Sequence, residues 1–359
     1  MHPKLIIDLH KLRQNISYLS KKMKEKNLTV GHVTKVYCAD PIIVNVFNEF
    51  EEIDYFADSR IDNIKQYPET NKEKILVRIP MHSEVSDVVK YADISFNSEI
   101  STIRLLNKEA KNLNKKHKIV IMVDLGDLRE GYFYENQVMQ AVAEIVELDN
   151  IELYGIGVNL TCYGAIIPDA TTLLRLVDFK YKIESNYNVS ISMVSGGNSS
   201  SVYLLDEGGL PEGVNNLRVG EAFVRGCETA YGRCYEEMHQ DAFILSTELV
   251  ELKEKPSVPI GNIGVDAFGQ KPVFKDKGQM LRGIVAIGRQ DTDYEGLIPV
   301  DEKIEIVGAS SDHLILDFTN CDKQYHIGDS IEFNMTYSAL LNGFTSHYVK
   351  REYIGMKPE

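Results

Sequence analysis

The sequence contains no apolar run of 18 residues, no C-x-x-C pair, no internal repeat and no excess of positive charge. Each absence excludes something. Without a long apolar run there is no candidate transmembrane helix. The opening Met1-His2-Pro3-Lys4-Leu5-Ile6-Ile7-Asp8 reaches an acid too soon to serve as a signal peptide, so a soluble, cytoplasmic protein is expected. The cysteines, Cys38, Cys162, Cys227, Cys234 and Cys321, are odd in number and widely spaced, which argues against a disulfide framework or a zinc site. Lys and Arg total 39 against 53 for Asp and Glu, a net charge of −14, so a nucleic-acid or anionic-membrane surface is disfavoured and small molecules are the expected partners.

What is present suits a folded protein with a sizeable core: 359 residues, 43% apolar and 26% charged. Leu9, Leu12, Ile16, Leu19 and Met23 alternate steps of three and four, predicting an amphipathic helix over residues 9–26. A buried strand follows, leading to Val33-Thr34-Lys35, and Ala39-Asp40-Pro41 then supplies an N-cap with proline at the first helical position. Short apolar runs alternate with helical segments through the next 180 residues or so, giving eight strands that end near residues 35, 58, 79, 97, 124, 159, 195 and 219. Eight such units fit an α/β fold, a closed (β/α)8 TIM-like barrel of about 250 residues. Beyond residue 235 the helical period gives way to short β-like runs, predicting a mostly-β C-terminal domain. The expected division is therefore 1–235 and 236–359, with residues 255–278 as a long ordered loop.

In this barrel the reactive groups sit at the C-terminal ends of the strands. Five ends carry unusual residues: Lys35; Asp124-Leu125-Gly126-Asp127-Leu128-Arg129; Asn159; Ser195-Gly196-Gly197-Asn198-Ser199-Ser200-Ser201; and Arg218-Val219-Gly220-Glu221. A lone strand-end lysine usually points into solvent, and a lone Gly/Ser loop is usually a turn. The loop at 195–201, however, follows the seventh strand, where this barrel commonly binds phosphate with backbone N–H groups and a helix N-terminus. Arg218 is a permanent cation in a buried segment and needs a partner, for which Glu221 and Asp206 are the structural candidates. A phosphate loop and a lysine at another strand end suit a cofactor carrying both a phosphate and an aldehyde, pyridoxal 5'-phosphate, with Lys35 forming the Schiff base.

With these residues in view the chain resembles the alanine racemase superfamily, pyridoxal-phosphate enzymes with a barrel followed by a β-domain, and within it the members acting on ornithine. The likeness runs through Val33-Thr34-Lys35-Val36, Ala57-Asp58-Ser59-Arg60, residues 122–131, Asn159-Leu160-Thr161-Cys162-Tyr163-Gly164, residues 195–201, 255–264 and 308–317. The resemblance implies that Lys35 carries the cofactor, that Arg218 faces its ring nitrogen and Arg129 its phenolic oxygen, and that Asn159 lies beside the ring. It implies phosphate contacts from the loop holding Ser195, Asn198 and Ser199, from Gly220 and Glu221, and from Tyr337. It also implies a head-to-tail homodimer. The superfamily's second acid/base is a tyrosine following a glycine in the β-domain, whereas this chain has Gly288-Arg289. A guanidinium is a poor proton acceptor, so beside Arg289 the candidates are Asp291, Asp293, Tyr294, Asp312 and His313. The expected activity is two-base racemisation of an amino acid, with Asp291, Asp293, Glu221, Glu228 and Asp312 as candidates to receive a basic substrate's second ammonium. A related decarboxylase would need an acid where Arg218 stands, a metal-assisted aldolase would need a His/Cys pair, and a non-catalytic cofactor carrier would lack the β-domain.

Overall fold

The computed structural model describes residues 2–269 and 271–356. Its first strand, β1 (Lys4–Asp8), is followed by the helix Leu9–Lys24, whose buried face is Leu9, Leu12, Ile16, Leu19 and Met23 and whose last turn carries Lys21, Lys22 and Lys24. The apolar spacing places those five side chains on one stripe, and the basic turn complements the helix dipole. The strands β2 (Thr29–Val33), β3 (Tyr55–Asp58), β4 (Glu73–Leu76), β5 (Ile94–Asn97), β6 (His117–Met122), β7 (Ile151–Gly157), β8 (Met193–Ser195) and β9 (Asn216–Val219) close into a parallel barrel in sequence order, β9 pairing back onto β2.

Because both faces of a parallel barrel are covered, its strands read as continuous apolar runs. Tyr55, Ala57, Ile75, Ile94, Phe96, Val120, Met122 and Met193 form one core cluster. The alternate residues, such as Ile119, Ile121 and Val194, pack in a second cluster with Leu106, Val142 and Leu176 of the helices. Each fully buried aliphatic side chain contributes ~1.5–3 kcal/mol. The helix Pro41–Asn48 starts as its sequence predicts, with the Asp40 carboxylate accepting from the N–H groups of Ile42 (3.1 Å) and Ile43 (3.3 Å).

The chain forms two compact units, one of Lys11–Gln240 and one joining the segment up to His10 with the segment from Asp241 onward. The expected boundary counted residues 1–10 with the barrel; β1 instead pairs antiparallel with β10 (Phe243–Pro256) and parallel with a strand at Lys350–Ile354. The remaining strands of this unit are β11 (Gln279–Val285), β12 (Leu297–Pro299), β13 (Glu305–Ala309), β14 (Leu314–Asp317), β15 (Ser330–Met335) and β16 (Lys350–Ile354). They run β12-β15-β10-β11-β14-β13, with β1 and β16 attached through β10. An α-helix, Tyr337–Thr345, accompanies them, burying Ala339, Leu340, Gly343 and Phe344. Between β10 and β11 the chain is irregular, its ends joined where Ser257 N–H donates to Gly278 O (2.9 Å) and Ser257 Oγ to Asp276 (3.0 Å). Residue 270 of that loop lies outside the described residues.

One expectation from spacing is corrected. Cys227 and Cys234 form a disulfide. The buried Glu228 carboxylate accepts from the N–H groups of Ala230, Tyr231 and Arg233, folding the chain back so that the two cysteines meet across an antiparallel bridge. Separation in sequence does not reveal a turn set by a buried acid. Among the described residues no helix is long and apolar enough to cross a membrane, and no group of His, Cys, Asp or Glu could hold a metal ion.

Candidate active site

Lys35 opens a short 3-10 turn, Lys35–Tyr37, directly beyond β2. Its neighbours fix that turn from below. Thr34 Oγ1 donates to the Asp58 carboxylate (2.6 Å) and lies 2.9 Å from the Tyr67 hydroxyl. Tyr37, fully buried, holds His32 Nε2 at 2.6 Å, and the imidazole stacks on Phe47. Burial raises the Asp58 pKa, against which the hydrogen bonds from Thr34, Arg60 and Asn63 act. Burial likewise drives the His32 pKa well down, so this imidazole stays neutral and serves as a spacer for the Lys35 turn.

Lys35 lines a cavity of about 370 Å³ whose wall includes Arg129, Asn159, Asn198 and Arg218, all four of them expected site residues. Arg218 is only 4% exposed. Its guanidinium donates to Val158 O (2.9 Å) and to Ser195 Oγ, and lies over the Phe96 ring. Ser195 in turn donates to Asn216 Oδ1 (2.5 Å), which ties the arginine to the barrel wall. Desolvation lowers the Arg218 pKa to about 10, partly opposed by the Glu130 charge. The acids considered as its structural partners are taken elsewhere: Asp206 pairs with Lys22, and Glu221 with Arg225. Among the described residues no carboxylate pairs directly with Arg218.

The loop at 195–201 is built on Asn198. Its Oδ1 accepts from Ser200 N–H (2.7 Å), while its Nδ2 donates to Asn159 Oδ1 (2.6 Å) and Leu160 O (3.0 Å). Ser199 Oγ accepts from Ala222 N–H (3.2 Å), bringing this loop against the turn of Gly220 and Glu221. At Gly220 a Cβ would lie 2.9 Å from Val33 O, so only glycine permits the approach to the strand that leads to Lys35. Burial raises the Glu221 pKa, against the pull of Arg225 and then Lys35.

Arg129 sits in a loop whose shape depends on two buried acids. Asp124 accepts from Gly126 N–H (2.8 Å) and Leu128 N–H (3.2 Å). Asp127 accepts from Thr161 (2.9 Å), Tyr163 (3.0 Å), Gly164 (3.1 Å) and Ile166 (3.3 Å), so the loop after β6 organises the loop after β7. Arg129 is gripped by Glu130 through Nη2 (2.7 Å) and Nε, and Asn159 Nδ2 approaches the same carboxylate at 3.4 Å. Glu130, Cys162, Ser59 and Arg78 also line the cavity. Sequence reading did not assign them, although the strand-end rule that singled out Lys35 reaches Arg78 as well.

The other expected residues lie in the second unit. Arg289 donates through Nε to Ala309 O (3.1 Å) and through Nη2 to the Tyr294 hydroxyl (3.2 Å), and its guanidinium covers the rings of Phe268 and Tyr294. The Asp312 carboxylate is engaged by His313 Nδ1 (2.9 Å), Ser310 and Ser311, and the His313 contact depresses its pKa. Asp291 accepts from Ser346 Oγ (2.7 Å), and Tyr337 begins the helix Tyr337–Thr345.

Residues 7–226 match the family described as alanine racemase, N-terminal domain. The chain is 53% identical to the ornithine racemase of Acetoanaerobium sticklandii, over 98% of this chain and 99% of that one. It is 38% identical to the lysine racemase of Thermotoga maritima, again over 98% and 99%. Among solved structures, the fold superposes on alanine racemase from Streptomyces lavendulae with a TM-score of 0.75 at 15% identity, covering 99% of each chain. On alanine racemase from Bartonella henselae with covalently bound pyridoxal phosphate the TM-score is 0.73 at 17% identity, covering 99% of this chain and 100% of that one. A lysine-bearing turn, a serine-rich loop and a buried arginine around the mouth of a closed barrel, in a chain matched end to end by curated racemases, lead to one conclusion: this chain belongs to the alanine racemase family.

Proposed function

We propose that this protein is a pyridoxal-phosphate-dependent amino-acid racemase that interconverts L- and D-ornithine. The observation that carries the reading is the joint placement of Lys35, Asn198 and Arg218 on one cavity at the C-terminal ends of barrel strands. The residues fit the cofactor on two counts. Ser200 Oγ, in the phosphate-type loop, is buried with no partner, as suits a donor awaiting an acceptor. Arg218 is a buried cation with no carboxylate paired to it among the described residues, as suits a side chain that faces a ligand.

When bound, the cofactor would withdraw electrons from the substrate amine and so acidify the Cα–H bond. Lys35 would hold it covalently, with Ser199, Gly220 and Glu221 around its phosphate and Arg129 and Asn159 beside its ring. Arg218, still charged at neutral pH with its pKa near 10, can donate a hydrogen bond but not accept a proton. A ring nitrogen facing it would stay unprotonated, which limits electron withdrawal and disfavours side reactions. Lys35 would give or take the proton on one face of Cα. Racemisation needs a second group on the other face. A guanidinium is a poor proton acceptor, but the Tyr294 hydroxyl that Arg289 touches can both give and take a proton.

Ornithine is the proposed substrate because the 53% identical relative bears that name. Head-to-tail dimerisation in the cytoplasm belongs to the same proposal and is checked by sizing the active protein. The main test is polarimetric racemisation of ornithine, lysine, arginine, alanine and serine side by side with the wild type and Lys35→Ala. The wild type should favour ornithine, and the variant should lose both the absorbance of the lysine-bound cofactor and all turnover. A preference for alanine or serine, or an active variant, refutes the assignment.

A further inference from the structure

The turn that carries Lys35 is held in a backbone conformation that its own residues do not favour. Cys38 and Ala39, which close it, both take left-handed conformations (φ 52° and 54°). Residues other than glycine adopt such angles reluctantly, and two in succession persist only where neighbouring contacts impose them. Those contacts converge on Thr34. Its carbonyl accepts from Tyr37 N–H (3.3 Å) and Ala39 N–H (3.2 Å), closing the turn around Lys35, while its own N–H donates to Ala57 O (2.9 Å) at β3.

The Thr34 hydroxyl is committed elsewhere. A threonine preceding a helical turn commonly caps it with the side chain, but Thr34 makes no such bond. Its Oγ1 instead donates to Asp58 Oδ2 (2.6 Å), with Ala57 O a more distant acceptor (3.3 Å). Having used its one proton, the hydroxyl accepts at the 2.9 Å contact with Tyr67, which is therefore the donor there. Asp58 Oδ1 is taken by Arg60 N–H (2.8 Å) and Asn63 Nδ2 (3.1 Å). The bonds thus run in one direction, from Tyr67 to Thr34 to Asp58, and both Thr34 and Asp58 are fully buried. Burying a carboxylate to orient one threonine is costly where an ordinary strand end would serve. The residue that this threonine precedes is Lys35.

We propose that Asp58 is a positioning residue for Lys35: acting through the Thr34 hydroxyl, it holds the left-handed turn so that the lysine amine meets the aldehyde of the cofactor. In that step the neutral amine nitrogen bonds the aldehyde carbon, and the aldehyde oxygen departs as water with both amine protons. Asp58 and Thr34 therefore govern formation of the covalent bond and not the grip on the phosphate. This assignment rests on the pyridoxal-phosphate reading of the cavity, and it is tested by binding rather than turnover.

The full chain, freed of cofactor, is titrated with pyridoxal 5'-phosphate and, separately, with pyridoxine 5'-phosphate, which has an alcohol in place of the aldehyde and cannot bond to lysine. Dissociation constants are measured by calorimetry and the lysine-bound cofactor by its absorbance. The proteins compared are the wild type, Thr34→Val, Thr34→Ser, Asp58→Asn and Lys35→Ala, the last giving the ratio expected with no covalent bond. The wild type should hold the aldehyde at least about 100-fold more tightly than the alcohol. Thr34→Val, close in size but without the hydroxyl, should cut that preference roughly tenfold or more and leave the affinity for the alcohol unchanged. Asp58→Asn, which turns a donor toward groups that themselves donate, should do the same, and Thr34→Val supplies the measurement if it does not fold. Thr34→Ser keeps the hydroxyl and should retain the wild-type preference. Equal weakening of both ligands would make the Asp58 network a general brace of the barrel and overturn the proposal. So would an unchanged preference in Thr34→Val. A wild type that binds the two ligands alike would refute the covalent bond and the proposal with it. A preference lost in the variants, in a protein that racemises no amino acid, would support the positioning role and refute the racemase activity instead.

Discussion

Replacing Arg218 with methionine separates a group kept for function from one kept for stability. The side chain is almost fully buried, and desolvation lowers its pKa to about 10. Measured from an ordinary guanidinium, that displacement corresponds to about 3 kcal/mol against the charged form in the folded state. The sign follows from the protonation balance. The folded pKa is the lower one, so the penalty is present at every pH below about 10 and is relieved only as pH rises through it; at neutral pH it applies in full. Against this relief, methionine forfeits the hydrogen bonds to Val158 O and Ser195 Oγ, at about 1.5 kcal/mol each, the low end for a charged donor, while its thioether can replace the guanidinium over the Phe96 ring. The two sides nearly cancel. Cofactor-free Arg218→Met should therefore unfold in urea within about 1 kcal/mol of the parent, while its affinity for pyridoxal phosphate, measured by absorbance, falls sharply. A loss of roughly 4 kcal/mol or more in the cofactor-free protein would refute the reasoning, because that is the signature of breaking a buried ion pair.

Two further outcomes are expected. Asp127→Asn keeps one carbonyl oxygen but replaces an acceptor of backbone N–H groups with a donor, so amide hydrogen exchange across residues 161–166 should accelerate and stability should fall by about 2 kcal/mol; exchange unchanged there would show that the loop is held by other means. His117, held at about pKa 4 by burial first and the Lys115 charge second, stays neutral in the fold, whereas the unfolded chain takes up its proton near pH 6.5. Stability should thus decline as pH falls from about 6.5 to 4, by up to about 3 kcal/mol, and His117→Gln should flatten that part of the urea-midpoint profile. Identical slopes in the two proteins would contradict this.

What could be read in the sequence was local. The approach to Lys35 carries its own signals, an apolar run before it and Asp40-Pro41 after it, and both are used as expected in capping the helix Pro41–Asn48. Asn216–Val219 was likewise bounded by its own residues. Features that depend on distant partners were not visible. Strand β1 is five residues whose pairing partners lie at 243–246 and 350–354. The apolar stretch at 74–80 extends past the last paired residue of β4, Leu76, and so hides that Arg78 is a rim residue rather than a strand residue. Glu130 gains meaning only from Arg129 and Asn159, and Arg218 only from finding both nearby acids engaged by other cations. The helix Tyr337–Thr345 carries little signal of its own, being nine residues, interrupted by Gly343, among strands.

The pairing of β1 with β16 also imposes an order in time. During synthesis β1 precedes its partners, so Lys4–Asp8 must wait for Phe243 onward to cover one edge and for Lys350–Ile354 to cover the other. The eight barrel strands emerge in the interval and already have all their partners. Folding would then proceed from the barrel outward, with one edge of β1 exposed until residues 350–354 have been made. A ribosome that stalls before residue 350 would leave β1 with one edge unpaired, a sticky edge for chaperones to cover.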